Sequence, residues 1–183
     1  MTTDIIMAGF GGQGILMIGN LLALAAMEEG RHVTYFPAYG VEMRGGTANC
    51  TVVISDEEIG SPVVGRPKSL LIMNGPSLER FLPSMAPGGD LIINSSLVDA
   101  SMVNRNDVRL LSVPADEIAR NVIGSRQMAS MVALGAYVAR TGVVRLDTLN
   151  DCLPKVISKK YEKFIPLNVN ALKEGAALAG IHA

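Results

Sequence analysis

This sequence contains few of the residues that commonly bind metals or act as covalent catalysts. Its 183 residues include two cysteines, two histidines and no tryptophan. Cys50 and Cys152 belong to no C-x-x-C pattern and cannot by themselves hold an iron–sulfur cluster, which takes a larger set of thiolates. His32 and His182 have no nucleophile at a motif spacing, and neither G-x-S-x-G nor H-E-x-x-H occurs. We therefore expect neither a metal site nor a catalytic residue on this chain.

Charged residues are also few, at 18% of the chain, whereas an ordinary domain has about 25%. The net charge of −1 argues against a nucleic-acid-binding surface. Hydrophobic residues make up 49% of the sequence. The shortage of charge suggests that part of the surface is buried against a partner, since exposed apolar patches tend to mark interfaces. A well-covered α/β core would explain the same composition.

Long apolar runs and targeting segments are absent as well. No run reaches the length of about 18 residues that a membrane-spanning helix requires. No basic and apolar signal-like segment precedes the first predicted strand, and the unpaired cysteines are typical of a reducing compartment. We therefore expect a cytoplasmic chain without a membrane contact. Because there is no repeat, low-complexity tract or linker, residues 1–183 are predicted to form a single domain.

The most informative stretch that is present is the glycine-rich segment at residues 9–14. It reads Gly-Phe-Gly-Gly-Gln-Gly between a predicted strand and a predicted helix, and it satisfies the pattern G-x-G-x-x-G. Gly9 is expected to allow a tight turn, and Gly11 a close approach of a ligand or another backbone. Gly14 is expected to let the helix pack close to the strand. The backbone N–H groups at the start of the helix could then cradle an anion.

The sequence lacks the further residues that the usual nucleotide-binding sites require beside such a turn. A NAD site has an acidic residue about 20 positions later, at the end of the second strand. Here the predicted second strand, residues 31–37, ends without an acid, and Glu28 and Glu29 precede it. No Lys-Ser or Lys-Thr pair follows Gly14, which argues against a P-loop. The turn therefore favours another ligand or a protein neighbour over a dinucleotide.

Strands alternate with helices along the whole chain. This order predicts a Rossmann-like, three-layer α/β fold with a mainly parallel sheet and a helical C-terminus. Strands are predicted at 4–10, 31–37, 47–55, 69–73, 90–94 and 108–113, and helices at 15–29, 74–83, 116–123, 125–138, 146–159 and 161–179. No helix precedes strand 47–55, so an antiparallel member is expected there. Residues 59–64 are predicted to form a short edge piece or a hairpin return.

Loops at the carboxyl ends of predicted strands form the candidate site, because ligands bind at that edge of open α/β sheets. These loops are residues 9–14, 39–46 and 94–96. They offer backbone N–H groups, a carboxylate, a guanidinium, hydroxyls and an amide, which could hold a phosphate-bearing ligand or the backbone of a partner. The candidate binding residues are Gly9, Gly11, Gly12, Gln13, Gly14, Glu42, Arg44, Gly45, Gly46 and Ser95. In the simpler alternative, Glu42 and Arg44 form a partly exposed ion pair of little energetic consequence.

Several segments together resemble the gamma subunit of 2-oxoacid:ferredoxin oxidoreductases, and also the gamma domain of single-chain pyruvate:ferredoxin oxidoreductases. They are residues 9–14 (GFGGQG), 24–26 (LAA), 39–46 (YGVEMRGG), 47–55, 131–136 (MVALGA) and 168–175 (NVNALKEG). The resemblance covers nearly the whole chain. A small separate chain of this length looks most like the 2-oxoglutarate type, and the branched-chain, pyruvate and indolepyruvate types remain open.

This resemblance implies a role in a complex that converts a 2-oxoacid and coenzyme A to acyl-CoA, carbon dioxide and reduced ferredoxin. It implies that thiamine diphosphate and 4Fe–4S clusters lie on partner alpha, beta and ferredoxin-like delta subunits, that ferredoxin is the acceptor, and that this chain contacts coenzyme A. Alone, the chain is expected to be inactive and able to form a homodimer. A scaffold subunit without a ligand also remains open.

A stand-alone nucleotide-binding dehydrogenase or reductase is the alternative from a different class. It requires an acid at the end of the second strand and a proton-transfer residue near the sheet edge, and the sequence shows neither.

Overall fold

One mixed sheet forms the centre of the computed structural model, which describes residues 1–39 and 46–181. The strands that it describes are β1 (Thr2–Phe10), β2 (His32–Tyr39), β3 (Thr47–Ser55), β4 (Ser69–Ile72), β5 (Asp90–Asn94) and β6 (Arg109–Val113). Their order across the sheet is β2-β3-β1-β4-β5-β6. β3 runs antiparallel to both neighbours, and β1, β4, β5 and β6 are parallel. The predicted mainly parallel sheet with an antiparallel member is confirmed.

Helices lie on both faces of this sheet. They are α1 (Ile15–Glu28), α2 (Gly75–Phe81), α3 (Ala115–Ile118), α4 (Ala129–Thr141), α5 (Leu146–Val156) and α6 (Ile165–Ile181). Helices α1, α4, α5 and α6 cover one face, and α2 with short 3₁₀ turns covers the other. Alternate residues of β1 serve the two cores, with Ile5 and Met7 in one and Ile6 and Ala8 in the other. This double burial explains why the parallel strands are almost continuously apolar.

The helices predicted to start at residues 74 and 125 begin in different ways. Asn74 caps α2, because its side chain accepts a hydrogen bond from the Ser77 N–H at 2.9 Å. Ser125 makes no such side-chain bond, and a 3₁₀ turn (Arg126–Met128) precedes α4 instead. The helix predicted at 125–138 therefore begins later, at Ala129, because the chain enters it through that turn.

Three predicted segments have different secondary structure from the one expected. Residues 59–64 form no strand, because β3, with which a hairpin return would pair, already lies between β1 and β2, and because proline and glycine interrupt this segment. The helix predicted at 116–123 is α-helical only as far as Ile118 and continues as a π-helix (Ala119–Ile123). The last helix begins later than predicted, after a 3₁₀ segment (Lys159–Phe164).

Both cysteines lie in the apolar interior. Burial raises the pKa of the Cys50 thiol to about 12, and its Sγ donates to the Ile15 carbonyl oxygen at 3.6 Å. Cys50 is therefore a protonated, unreactive core residue. Within the described parts of the chain, no cluster of three or more His, Cys, Asp and Glu side chains could hold a metal ion. No described helix is long and apolar enough to cross a bilayer.

Candidate functional site

The glycine turn connects β1 to α1 at the carboxyl edge of the sheet. Its tightness comes from Gly12 and Gly14, whose φ angles of 93° and 78° are in the region that favours glycine. Gly14 also occupies the N-cap position of α1 and makes no side-chain capping bond. Gly9 lies inside β1. The predicted tight turn is present, but Gly12 and Gly14 form it rather than Gly9.

Gln13 folds back over the end of β1 and ties it to the end of β4. Its Oε1 accepts hydrogen bonds from the Phe10 N–H at 2.6 Å and from Asn74 Nδ2 at 3.4 Å. Its Nε2 donates to the Met73 carbonyl oxygen at 3.4 Å. A Cβ at Gly9 would lie 2.5 Å from Gln13 Oε1, so the absence of a side chain at Gly9 makes room for this fold. Gln13 therefore stabilises the turn through its amide.

Gly14 brings the turn against the first turn of α4. A Cβ at this position would lie 2.6 Å from Ser130 Oγ, which is closer than side chains normally approach. The close packing predicted at Gly14 is therefore observed, but against α4 rather than against the strand. This contact fixes the start of α1 relative to the start of α4.

The second predicted loop reaches the glycine turn through its last residue. The Gly11 N–H donates to the Gly46 carbonyl oxygen at 2.9 Å, next to the pairing of Phe10 with Thr47. Glu42, Arg44 and Gly45 lie outside the described residues, so their part in the site remains a prediction.

The end of β5 contributes a buried polar network that the sequence did not reveal. Asn94 Nδ2 donates to Asp116 Oδ2 at 2.6 Å, and Asn94 Oδ1 accepts from the Ala115 N–H at 3.1 Å. Arg126 Nε donates to Asp116 Oδ1 at 2.9 Å. The Asp116 side chain is 8% exposed and that of Arg126 is 65% exposed. A buried carboxylate thus holds a guanidinium at the protein surface.

These groups surround a cleft of about 340 Å³, which we call the glycine-turn cleft. Its walls are Gly11, Gly12, Gln13, Met73, Asp116, Arg126, Gln127 and Ala129. Arg126 balances the charge of Asp116 through its Nε. The groups of the cleft that can bind an anion are therefore the backbone N–H groups at the start of α1, with its dipole, and the other guanidinium nitrogens of Arg126. The volume is near the lower end of ligand sites, about 300–1,000 Å³, and suits a phosphate-sized part of a larger molecule.

Like Gly9, Gly14 and Gly46, Ser95 is a predicted site residue that does not line this cleft. It is exposed on the turn after β5, and its N–H donates to the Val113 carbonyl oxygen at 2.8 Å. It is not among the residues that form the cleft walls. The neighbouring Ser96 accepts a bond from the Glu117 N–H at 3.2 Å, so this turn mainly supports the start of α3.

The sequence does not predict the pairing of Asp116 with Arg126, because no motif spacing relates the two residues. Their association depends on the π-helix and on Gly124, whose φ of 80° reverses the chain before Arg126. From the sequence, Asp116 could be recognised only as an acidic residue in the first turn of a predicted helix.

The sheet order, the glycine turn and the cleft at the carboxyl edge define a Rossmann-like α/β domain with a cleft beside its first strand–helix turn. The chain belongs to the pyruvate ferredoxin/flavodoxin oxidoreductase family, whose sequence model matches residues 4–178.

Individual relatives agree with this assignment. The chain is 43% identical to the ketoisovalerate oxidoreductase subunit VorA of Methanothermobacter thermautotrophicus over 174 residues, which are 94% of this chain and 35% of VorA. It is 32% identical to the 2-oxoglutarate synthase subunit KorC of Methanothermobacter marburgensis, with 97% of both chains covered. The chain thus spans about a third of the length of VorA.

The fold also matches a solved structure of a related enzyme. That structure is a 2-oxoglutarate:ferredoxin oxidoreductase from Magnetococcus marinus with 2-oxoglutarate, coenzyme A and succinyl-CoA bound. The TM-score is 0.88 at 26% identity, and the match covers 98% of this chain and 31% of the other. The predicted resemblance to gamma-type subunits is confirmed, and the stand-alone dehydrogenase alternative is not favoured.

Proposed function

We propose that this chain is the gamma-type component of a 2-oxoacid:ferredoxin oxidoreductase. The complex would oxidise a 2-oxoacid with coenzyme A to acyl-CoA and carbon dioxide, and would reduce ferredoxin. The observation that carries this proposal is the family match over residues 4–178, a range that contains the glycine turn. The partners would be alpha, beta and delta subunits in the cytoplasm, and the isolated chain would be inactive and able to form a homodimer.

The preferred 2-oxoacid is proposed to be 2-oxoglutarate, because KorC matches this chain over nearly the full length of both proteins. A branched-chain 2-oxoacid is the second candidate. It is favoured by the higher identity to VorA, at 43% against 32% for KorC.

The role proposed for this chain is to hold part of coenzyme A. The residues that would do so are Gly12 through its backbone N–H, with Arg126 and Gln127 at the opposite wall of the glycine-turn cleft; the Gly11 N–H is already bound to the Gly46 carbonyl oxygen. Such donors suit a phosphate, since backbone N–H groups at a helix start and a guanidinium both bind anions. Coenzyme A, when bound, supplies the thiol that accepts the acyl group.

Electron transfer and decarboxylation are assigned to the partner subunits. The described residues contain no cluster of possible metal ligands, and Cys50 is held in the core by burial and by its bond to Ile15. Thiamine diphosphate and 4Fe–4S clusters would therefore be bound by the partners. The residues of this chain would bind and orient part of coenzyme A.

Co-purification tests the complex directly. We expect a tagged copy, isolated from the cytosolic fraction of its native cell, to bring down thiamine-diphosphate-binding and iron–sulfur chains. The recovered material should reduce ferredoxin only when both a 2-oxoacid and coenzyme A are present. Recovery of the chain alone, with tightly bound NAD(H) or FAD and an activity of its own, would overturn the proposal.

Substitutions in the glycine-turn cleft test the coenzyme A role. Gly12→Val and Arg126→Gln are each expected to raise the KM for coenzyme A by about tenfold or more, the effect of losing a favourable ligand contact. Among residues 1–39 and 46–181, nothing lies within 4 Å of a Cβ added at Gly12, so within this part of the chain the new side chain would obstruct only a ligand. The measurement is steady-state kinetics of the assembled complex at saturating 2-oxoacid.

Gly30→Val is the matched control for Gly12→Val. Gly30 has a φ of 77° and an equally open surrounding, but it follows the other end of α1. It therefore reproduces the backbone strain away from the cleft. An unchanged KM for coenzyme A in assembled Gly12→Val and Arg126→Gln complexes would favour a scaffold subunit that binds no ligand. Arg44→Ala applies the same test to the loop at residues 39–46.

A further inference from the structure

A second, larger cleft lies at the opposite edge of the sheet, where β1, β4, β5 and β6 begin. It has a volume of about 630 Å³, and we call it the amino-edge cleft. Different segments each place one cationic side chain on its walls, namely Arg31 before β2, Lys68 before β4, Arg109 in β6 and Arg140 in α4. The size is within the range of ligand sites. The glycine turn contributes nothing to it.

Asp90 is the carboxylate at the centre of this cleft, and two guanidinium groups bind it. Arg109 Nη2 donates to Asp90 Oδ2 at 2.6 Å, and Arg140 Nε donates to Asp90 Oδ1 at 3.3 Å. The Asp90 side chain is 9% exposed. One guanidinium is sufficient to balance the charge of a buried carboxylate, so the second leaves a surplus positive charge.

The other cations of the cleft are largely occupied. Arg31 Nε lies 2.7 Å from Asp56 Oδ1, and Lys68 Nζ donates to the Thr2 carbonyl oxygen at 2.5 Å. Asp4 accepts the Lys68 N–H at 2.7 Å, and burial raises the pKa of this carboxyl. A carbonyl oxygen does not balance the Lys68 charge, which therefore adds to the surplus left by the two arginines that share Asp90.

Both of these arginines retain hydrogen-bond donors. Each uses one side-chain nitrogen on Asp90, and no acceptor for the other nitrogens is found within residues 1–39 and 46–181. A guanidinium carries five N–H donors in a planar fork that matches the oxygens of phosphate and carboxylate groups. Arg109 is 60% exposed and Arg140 is 20% exposed, so both can be reached from the cleft.

We propose that the amino-edge cleft binds a small polyvalent oxyanion, a phosphate ester or a polycarboxylate, between Arg109 and Arg140. The arginines sharing Asp90 are already held by that carboxylate, so little side-chain entropy is lost on binding. This site is separate from the glycine-turn cleft and does not rest on the function proposed above.

Binding can be measured on the full-length chain with inorganic phosphate and citrate as probes. The effect of each probe is compared with that of chloride at equal ionic strength, so that the general screening of charges by salt cancels. We expect at least one probe to raise the midpoint of thermal unfolding, as a ligand of the native state does. A response to phosphate alone indicates a phosphate ester, and a response to citrate alone a polycarboxylate. No response to either would overturn the proposal.

Variants decide whether the response belongs to this cleft. Arg109→Gln and Arg140→Gln are each expected to weaken probe binding in calorimetric titration by about tenfold or more, through loss of a charge-assisted bond. Arg80→Gln on α2 removes an exposed arginine elsewhere and should bind like the wild type. If Arg140→Gln fails to fold, Arg109→Gln decides alone. Wild-type affinity in the Arg109→Gln variant would show that the two arginines serve only Asp90 and the end of α4.

Discussion

Replacing Gly175 by alanine is expected to lower the free energy of unfolding by about 3 kcal/mol, the upper part of the range for overpacking a core. Gly175 lies in α6 where this helix crosses α4. A Cβ at this position would overlap the carbonyl oxygen of Val132 and lie 3.0 Å from the Ala136 nitrogen. Both obstacles are backbone atoms of α4, which cannot rotate away. The two helices would have to separate, which would loosen the core along their whole contact.

Gly180→Ala is the matched control, because Gly180 lies five residues later in α6 and is exposed, and no atom of the described residues lies within 4 Å of a Cβ added there. The same substitution there should be neutral or stabilise by up to about 1 kcal/mol through helix propensity. Urea denaturation at one pH, fitted with a common m-value, measures both variants. Equal stabilities of the Gly175→Ala and Gly180→Ala proteins would contradict the observed helix crossing.

Replacing Asn94 by aspartate is expected to cost about 2–3 kcal/mol at neutral pH, because it turns a buried hydrogen bond into a repulsion between carboxylates. Asn94 is fully buried, and its Nδ2 donates to Asp116 Oδ2 at 2.6 Å. The variant would place two carboxylate oxygens at that distance. As the pH falls, one carboxyl takes up a proton and can donate to the other. The loss of stability should therefore be largest above neutrality and shrink under acidic conditions.

The pH dependence separates this mechanism from a simple packing defect, which would cost the same at every pH. Unfolding of wild type and variant is compared across the acidic and neutral range. Asn104→Asp adds the same charge at an exposed position and should leave stability within about 0.5 kcal/mol of wild type. A constant difference between the Asn94→Asp protein and the wild type would mean that Asn94 and Asp116 do not share this bond.

Much of the fold could be read from local pattern. Strands β3 and β5 were predicted with the bounds that the structure shows, because β-branched and apolar residues end at clear turn signals there. The α/β class followed from the alternation of strands and helices. The turn at residues 9–14 was placed correctly between β1 and α1, although the roles of its glycines were assigned differently.

The candidate site was less predictable. The glycine turn and Gly46 do meet, since the Gly11 N–H binds the Gly46 carbonyl oxygen. The partner of the turn across the cleft, Arg126, was not predicted, because its position depends on a buried acid ten residues earlier in the chain. Such an ion pair has no sequence period, and only the path of the π-helix and Gly124 brings it together.

The sequence by itself thus determined the class of fold, the element that carries the glycine turn and the family, because these depend on hydrophobic period, turn residues and motif spacing. Tertiary structure alone decided that β3 lies between β2 and β1, that Gly175 packs on Val132, and that Asn94 and Arg126 share Asp116. Periodicity states which face of an element is buried, but not which element covers it. Contacts between distant segments depend on the packing of the whole chain.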